Sequence, residues 1–204
     1  MAFVLPLLAR KFKGGRRKTK AAPLILVLVP SRELARQVGR EWERYSKQAT
    51  NCVTVFGGVP IERHAAFLRK HKPQVLISTP GRLRELHREG HVEFSQIQTI
   101  VLDEADTLLD QGDSPDVRAI LEDVETAIDK EREDAEYQMV LVSATMNEHV
   151  TEFTQEVVIP PEAMIQVQGS DESKTAAVKL FPKLPPPFDL SLIHILTLPT
   201  TPYV

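Results

Sequence analysis

Three carboxylates close together carry the strongest chemical signal in this sequence. Asp103, Glu104 and Asp106 stand at the end of the apolar run Thr99-Ile-Val-Leu102. A short β-branched run of this kind reads as a buried strand. An isolated charge is costly to desolvate, so a buried strand that ends in acids is facing something that uses them. At the C-terminal end of a strand in an α/β sheet, that place is the ligand crevice. An Asp-Glu pair there suits a magnesium ion holding nucleotide phosphates, with a base to orient water. The plainer alternative is an acidic strand-to-helix turn in which an Asp caps the next helix.

Four further segments have suitable chemistry for the same crevice. They are Pro30-Ser-Arg-Glu-Leu-Ala35, Gly57-Gly58, Thr79-Pro-Gly-Arg82 and Ser143-Ala-Thr145. Glycine turns and helix starts offer backbone N–H groups to phosphates. Arg32 and Arg82 add fixed charge and a forked donor geometry. Ser143 and Thr145 are small hydroxyl residues able to hydrogen-bond the acids of a neighbouring strand. Each segment alone also reads as an ordinary cap, turn or strand end.

The elements that must hold these segments follow from hydrophobic period. Apolar runs at Leu24–Val29, Cys52–Phe56, Val75–Ser78, Thr99–Leu102, Met139–Val142 and Met164–Val167 read as strands. Between them, Leu34, Val38, Trp42 and Tyr45 mark one face of a helix that Ser31 caps. Ile61, Ala65 and Leu68 mark the next, and Leu83 and Leu86 a third. Val117, Ile120, Leu121, Val124 and Ile128 form a stripe behind Ser114-Pro115, and Asn147 caps a helix bearing Val150, Phe153 and Val157. Strands alternating with helices predict right-handed βαβ units, hence an α/β fold with a mainly parallel sheet. Parallel strands point their C-terminal ends to one edge, so the five segments should gather on a single rim.

Composition narrows the class. The 204 residues carry 42% hydrophobic and 26% charged side chains and a net charge of -3, so a nucleic-acid site must be local. Arg10 to Lys20 is a basic glycine-containing stretch that reads as a nucleic-acid patch or a solvated connection. Cys52 is the single cysteine, which rules out an intrachain disulfide and reads as a reduced interior residue. The six histidines have no cysteine partners at zinc-site spacing and read as surface or helix residues. The longest apolar run, Leu24–Val29, is far too short to cross a membrane.

Taken in order, the motifs Pro-Ser-Arg-Glu-Leu-Ala, Gly-Gly, Thr-Pro-Gly-Arg, Val-Leu-Asp-Glu-Ala-Asp and Ser-Ala-Thr resemble those of the first RecA-like domain of DEAD-box RNA helicases. Thr107-Leu-Leu-Asp-Gln-Gly112 resembles the segment that follows the acidic motif there. The resemblance covers roughly residues 1–168 and is specific as a set. It implies a RecA-like P-loop NTPase fold, ATP and Mg2+ as cofactors, RNA as partner, a second RecA-like domain and an intracellular location. By the same resemblance Asp103 would hold magnesium through water, and Glu104 would polarise the attacking water. Asp106 would hydrogen-bond Ser143 and Thr145 and couple nucleotide state to strand separation. Pro30, Arg32, Glu33, Gly57, Gly58, Thr79, Gly81 and Arg82 would line an RNA backbone path that reads phosphate and ribose rather than base.

The family's Gly-rich phosphate loop does not occur in these residues. Lys18-Thr19 is a decoy, because Arg17 precedes it and the Gly-x4-Gly-Lys spacing fails. Met1-Ala-Phe-Val-Leu-Pro-Leu-Leu8 resembles the helix that follows that loop, which implies a domain lacking the loop and its strand. In RecA-like sheets that strand lies beside the Ser-Ala-Thr strand. Its loss is expected to leave open backbone groups and a poorly stable, aggregation-prone chain. Residues 169–189 read as the start of an interdomain linker. Residues 190–204, with no Asp, Glu, Lys or Arg, read as a non-native tail or an apolar segment that docks on a partner. The alternative function is a non-catalytic RNA- or protein-binding module that keeps the Arg32 and Arg82 surface. A helicase of another P-loop class acting on DNA is the third reading, and the set of motifs argues against it.

Overall fold

The computed structural model describes residues 3–9, 20–46, 50–110, 114–131, 137–157, 164–168 and 175–179. Most of the basic stretch at 10–20 and the whole 190–204 tail lie outside the described residues. Seven strands form one sheet: β1 (Ile25–Leu28), β2 (Cys52–Val55), β3 (Val75–Ser78), β4 (Thr99–Asp103), β5 (Gln138–Val142), β6 (Met164–Gln168) and β7 (Thr175–Lys179). The strand order is β2-β3-β1-β4-β5-β7-β6. The first five are parallel throughout. Among the described residues seven helices accompany them: α1 (Val4–Ala9), α2 (Arg32–Ser46), α3 (Ile61–His71), α4 (Pro80–Arg88), α5 (Ala105–Asp110), α6 (Ser114–Glu131) and α7 (Glu148–Val157).

The alternation of side chains along buried strands sorts the core into two layers. Ile25, Val27, Val75, Ile77, Val101 and Val140 face α1 and α2, meeting Leu7, Ala35, Val38 and Trp42. Leu26, Leu28, Leu76, Ile100, Leu102, Met139 and Leu141 face the other way, toward Leu68 of α3, Leu83 and Leu86 of α4, and the stripe of α6. Every strand from β1 to β5 except the edge strand β2 is almost wholly buried. Such continuous apolar runs are the expected signature of a parallel sheet covered on both faces.

Three local expectations need correction. Tyr45 does not complete the buried face of α2; it is exposed and lies under Arg44, whereas Ser46 takes the inward position. At about 100° per residue, the buried positions Ala35, Val38, Gly39, Trp42 and Ser46 centre roughly 75° away from Tyr45, which shares the margin of the face with half-buried Leu34. His64 lies on α3, as the reading of the histidines as surface or helix residues allows, but it is buried rather than at the surface. The edge of β5 is not open either. Residues 175–179, within the stretch expected as linker, pair antiparallel with β5 from Met139 to Val142, and β6 pairs with β7. The place beside the Ser-Ala-Thr strand is therefore filled from the C-terminal side of the sequence.

Candidate functional site

All five motif segments sit at the C-terminal ends of parallel strands. In sheet order they are Gly57-Gly58 after β2, Thr79 after β3, Pro30 after β1, Asp103 closing β4 and Ser143 after β5. Five separated stretches of sequence thus make one continuous rim, the position at which open α/β sheets bind ligands.

At its centre the Asp103 carboxyl is 7% exposed. Burial, reinforced by the neighbouring Glu104 charge, pushes it up to about 6, against a backbone hydrogen bond that favours the charged form. Glu104, by contrast, is exposed and adopts φ 52°, in the left-handed region. That conformation costs a non-glycine residue roughly 1–2 kcal/mol, and it allows β4 to turn sharply into α5. The result is one acid held in the wall and one projecting from it. A hard divalent cation fits this donor set, because a buried carboxylate whose ionisation is disfavoured gains most from a nearby positive charge. Among the described residues, no group of three or more His, Cys, Asp or Glu side chains could hold a metal ion by itself.

Asp106 ties β4 to β5. Its carboxylate Oδ2 accepts from the Thr145 hydroxyl at 2.8 Å and from the Thr145 N–H at 3.1 Å. Its own backbone N–H donates to Ser143 Oγ at 3.1 Å, and that hydroxyl donates to the Thr145 carbonyl at 2.7 Å. Ser143 therefore meets the backbone of Asp106 rather than its carboxylate. Further out, Asp110 accepts from Asn147 Nδ2 at 2.9 Å, and Asn147 Oδ1 caps α7 through the Val150 N–H.

The other half of the rim is built around two arginines in different settings. Ser31 Oγ caps α2 through the Leu34 N–H at 3.1 Å, which fixes the start of the helix. Arg32 then projects into solvent, its side chain 59% exposed, with Nε donating to Glu33 Oε1 at 2.8 Å. That bond holds the Glu33 carboxyl below its ordinary range. Gly58, at φ 83°, lies close enough to Arg32 that a Cβ there would stand 3.5 Å from Nη1. Gly57 faces open space. Thr79 and Pro80 start α4 with no side-chain hydrogen bond at the cap, so backbone donors of its first turn point to the rim. Gly81 sits beside Asp116 of α6, which accepts from Arg84 at 2.5 Å. The Arg82 side chain is only 10% exposed, and it turns inward: Nη1 donates to the Val59 carbonyl at 2.6 Å and to His64 Nδ1 at 3.0 Å, and Nε to Glu85 at 2.8 Å.

With the rim so assembled, comparison with known proteins is decisive. The DEAD/DEAH box helicase family profile matches residues 1–153. The chain belongs to the DEAD/DEAH box helicase family. DEAD-box ATP-dependent RNA helicase 9 of Oryza sativa subsp. japonica is 36% identical to it over 177 residues, covering 86% of this chain and 26% of the rice protein. DEAD-box ATP-dependent RNA helicase 9, mitochondrial, of Arabidopsis thaliana is 33% identical over 185 residues, covering 89% of this chain and 28% of that protein. Among solved structures, the yeast DEAD-box splicing factor Prp28 superposes with a TM-score of 0.61 at 27% identity, over 65% of this chain and 30% of that one. The chain spans about a quarter of the length of the curated relatives it matches.

Two features of this DEAD-box rim were missed by reading the sequence. His64 joins it through Arg82, and Phe56 packs edge-on to the His64 ring at 5.9 Å while Arg36 covers Phe56 at 4.8 Å. Neither residue lies in a motif, and the apolar position of His64 on α3 was the available signal. A cavity of about 300 Å³ lined by His87, Phe94 and Asp123 lies at the opposite edge, before β4, far from the motif residues. No described helix is long and apolar enough to cross a membrane.

Proposed function

We propose that this chain carries the magnesium–ATP and RNA-backbone rim of an ATP-dependent RNA helicase that separates short duplexes locally. The observation that supports this most is the shared rim, with Asp103, Glu104 and Asp106 between the Ser-Ala-Thr turn and the two arginine segments. When bound, magnesium would neutralise phosphate charge as the terminal bond breaks. Asp103 would hold it through water, and exposed Glu104 would orient the attacking water. Asp106 would pass a change at the acids to β5 through Thr145. Pro30, Arg32, Glu33, Gly57, Gly58, Thr79 and Gly81 would follow the RNA backbone, with Arg82 acting from behind them. A second RecA-like domain would supply the opposing wall of both sites, and the setting would be intracellular. The ATP-binding domain, read from the sequence as residues 1–168, would run on through β7 to Lys179, with the remaining residues to 189 leading on and 190–204 outside it.

The 204-residue polypeptide contains no Gly-x4-Gly-Lys phosphate loop. Its own ATP affinity is accordingly expected to be very low, since that lysine and backbone cradle offset much of the triphosphate charge. A nucleotide-binding assay beside an RNA-binding assay separates the helicase reading from that of a pure RNA- or protein-binding module. The chemistry is tested by transplanting residues 20–157 into the rice relative in place of its corresponding segment. RNA-stimulated ATP hydrolysis that Glu104→Gln abolishes is expected. Undiminished turnover in that variant overturns the role given to Glu104.

A further inference from the structure

We propose that His64 is a positioning residue for RNA binding: its neutral imidazole, protonated at Nε2, accepts a hydrogen bond from Arg82 and so locks the Gly57-Gly58-Val59 turn to the Thr79-Pro80-Gly81 helix start. The inference rests on the reading of this rim as an RNA path. It concerns a residue outside every motif that carries that reading.

The assignment of donor and acceptor is forced by chemistry. A guanidinium has five N–H donors and no acceptor. The 3.0 Å approach of Arg82 Nη1 to His64 Nδ1 therefore requires a lone pair on Nδ1 and the ring proton on Nε2. The same Nη1 donates its second hydrogen to the Val59 carbonyl at 2.6 Å. One nitrogen thus spans two elements: Val59 follows the Gly-Gly turn after β2, and His64 lies one turn into α3. Arg82 itself is in the first turn of α4, immediately after Thr79-Pro80-Gly81. Glu85 fixes the guanidinium from the other side through Nε at 2.8 Å. With its side chain only 10% exposed, Arg82 acts on a bound backbone chiefly by setting the distance between the two segments that carry donors.

The ring is held on its far side too. Phe56 meets it edge-on at 5.9 Å, and His64 is 8% exposed. Among the described residues, the charged group that meets it is Arg82 of α4, itself paired with Glu85, while Arg36 of α2 lies over the Phe56 ring that packs against it. Burial first, and then the Arg82 charge, hold its ionisation below the ordinary range for histidine. An imidazolium here would turn an N–H toward Arg82 and set two positive charges 3.0 Å apart. Acidification deep enough to protonate His64 must break the link and free the turn.

The test uses the whole 204-residue chain, a fluorescent single-stranded oligouridylate as probe, and ring-nitrogen NMR of His64. The expected spectrum is that of the Nε2–H tautomer at neutral pH, with a titration midpoint that rises in Arg82→Ala. In binding, His64→Gln is the conservative variant, since its amide oxygen can accept from Arg82 but does not titrate. The expected result is near-wild-type affinity for His64→Gln at about pH 7.5, and a wild-type Kd that rises at least about threefold relative to His64→Gln once pH falls below the midpoint read from the ring-nitrogen titration. His64→Leu, with folding checked by circular dichroism, is expected to bind several-fold more weakly at both. An Nδ1–H tautomer, or the same pH dependence in His64→Gln as in wild type, overturns the inference while leaving the rim reading intact. Absence of RNA binding by the wild-type chain at either pH overturns the rim reading and the positioning role with it.

Discussion

The carboxylate of Asp106 accepts two hydrogen bonds from one residue, Thr145: its hydroxyl at 2.8 Å and its N–H at 3.1 Å. Asp106 lies in the first turn of α5, just after β4, and Thr145 follows the neighbouring parallel strand β5, 39 positions away in sequence. Bonds to an ionised acceptor are stronger than neutral ones, and this pair fixes the Ser-Ala-Thr turn against the start of α5. Thr145→Ala removes one bond and is expected to lower stability by about 1 kcal/mol, while Asp106→Ala, which removes both, costs about 1–3 kcal/mol. Thr145→Ser should be near neutral. Urea unfolding of the three variants checks the order, and equal loss in Thr145→Ala and Asp106→Ala would show that the pair is not the link.

Gly39 is needed for packing, not for flexibility. It lies on the buried face of α2, and a Cβ there would come within 2.6 Å of Thr54 Oγ1 on β2. Gly39→Ala gains helix propensity yet must push the helix off the sheet, so a net destabilisation of about 1–3 kcal/mol is expected. Thr54→Ala removes the offending oxygen. The double variant Gly39→Ala/Thr54→Ala should be less destabilised than the sum of the singles, an interaction that thermal melts of the four proteins would measure.

The same contrast explains what could and could not be read from the sequence. The five rim segments were legible because each interrupts a period of two or 3.6, and because parallel strands leave their C-terminal ends no choice of edge. The two-sided burial of β1, β3 and β4 followed from unbroken apolar runs. What escaped depends on distances between elements. Gly39 looks like a weak point in a helix until Thr54 is seen opposite it. His64 looks like any histidine on a helix until Arg82 turns inward to meet it. The pairing of β7 with β5 escaped too, because a run such as Thr175-Ala-Ala-Val-Lys179 carries little pattern, and its place is set by the free edge it finds.

Cys52 offers a direct probe of folding. Burial pushes its thiol up to about 12, with the Glu43 charge adding to the effect. At about pH 8 an unfolded thiol, with its usual pKa near 8.5, is a substantial fraction thiolate, whereas the folded one is almost wholly protonated. Alkylation of the native chain by iodoacetamide is expected to be at least about a hundredfold slower than of the urea-unfolded chain. The raised pKa favours the fold fully below the unfolded value, and that contribution is lost as pH rises from about 8.5 toward 12. Rapid labelling in native buffer at about pH 8 would contradict the shielding of this half-buried thiol on the edge strand β2.

Arg32 and Arg82 should fail in different ways when removed. Arg32 is 59% exposed at the rim, and among the described residues its ion pair is with the neighbouring carboxylate of Glu33, an exposed partner it can leave for a phosphate. Arg32→Ala is expected to reduce the slope of log Kd against log salt by about 0.7 for single-stranded RNA, the value for one lost phosphate contact. Arg82 is 10% exposed and committed to Val59, His64 and Glu85, so its charge is spent within the protein. Arg82→Ala should weaken binding at every salt concentration with little change in slope, and should lower stability by about 1–3 kcal/mol because the Val59 carbonyl and Glu85 lose their donor. Binding titrations across salt, run beside urea unfolding, separate the two patterns. A loss of about 0.7 in slope in Arg82→Ala without loss of stability would place that guanidinium on the RNA itself.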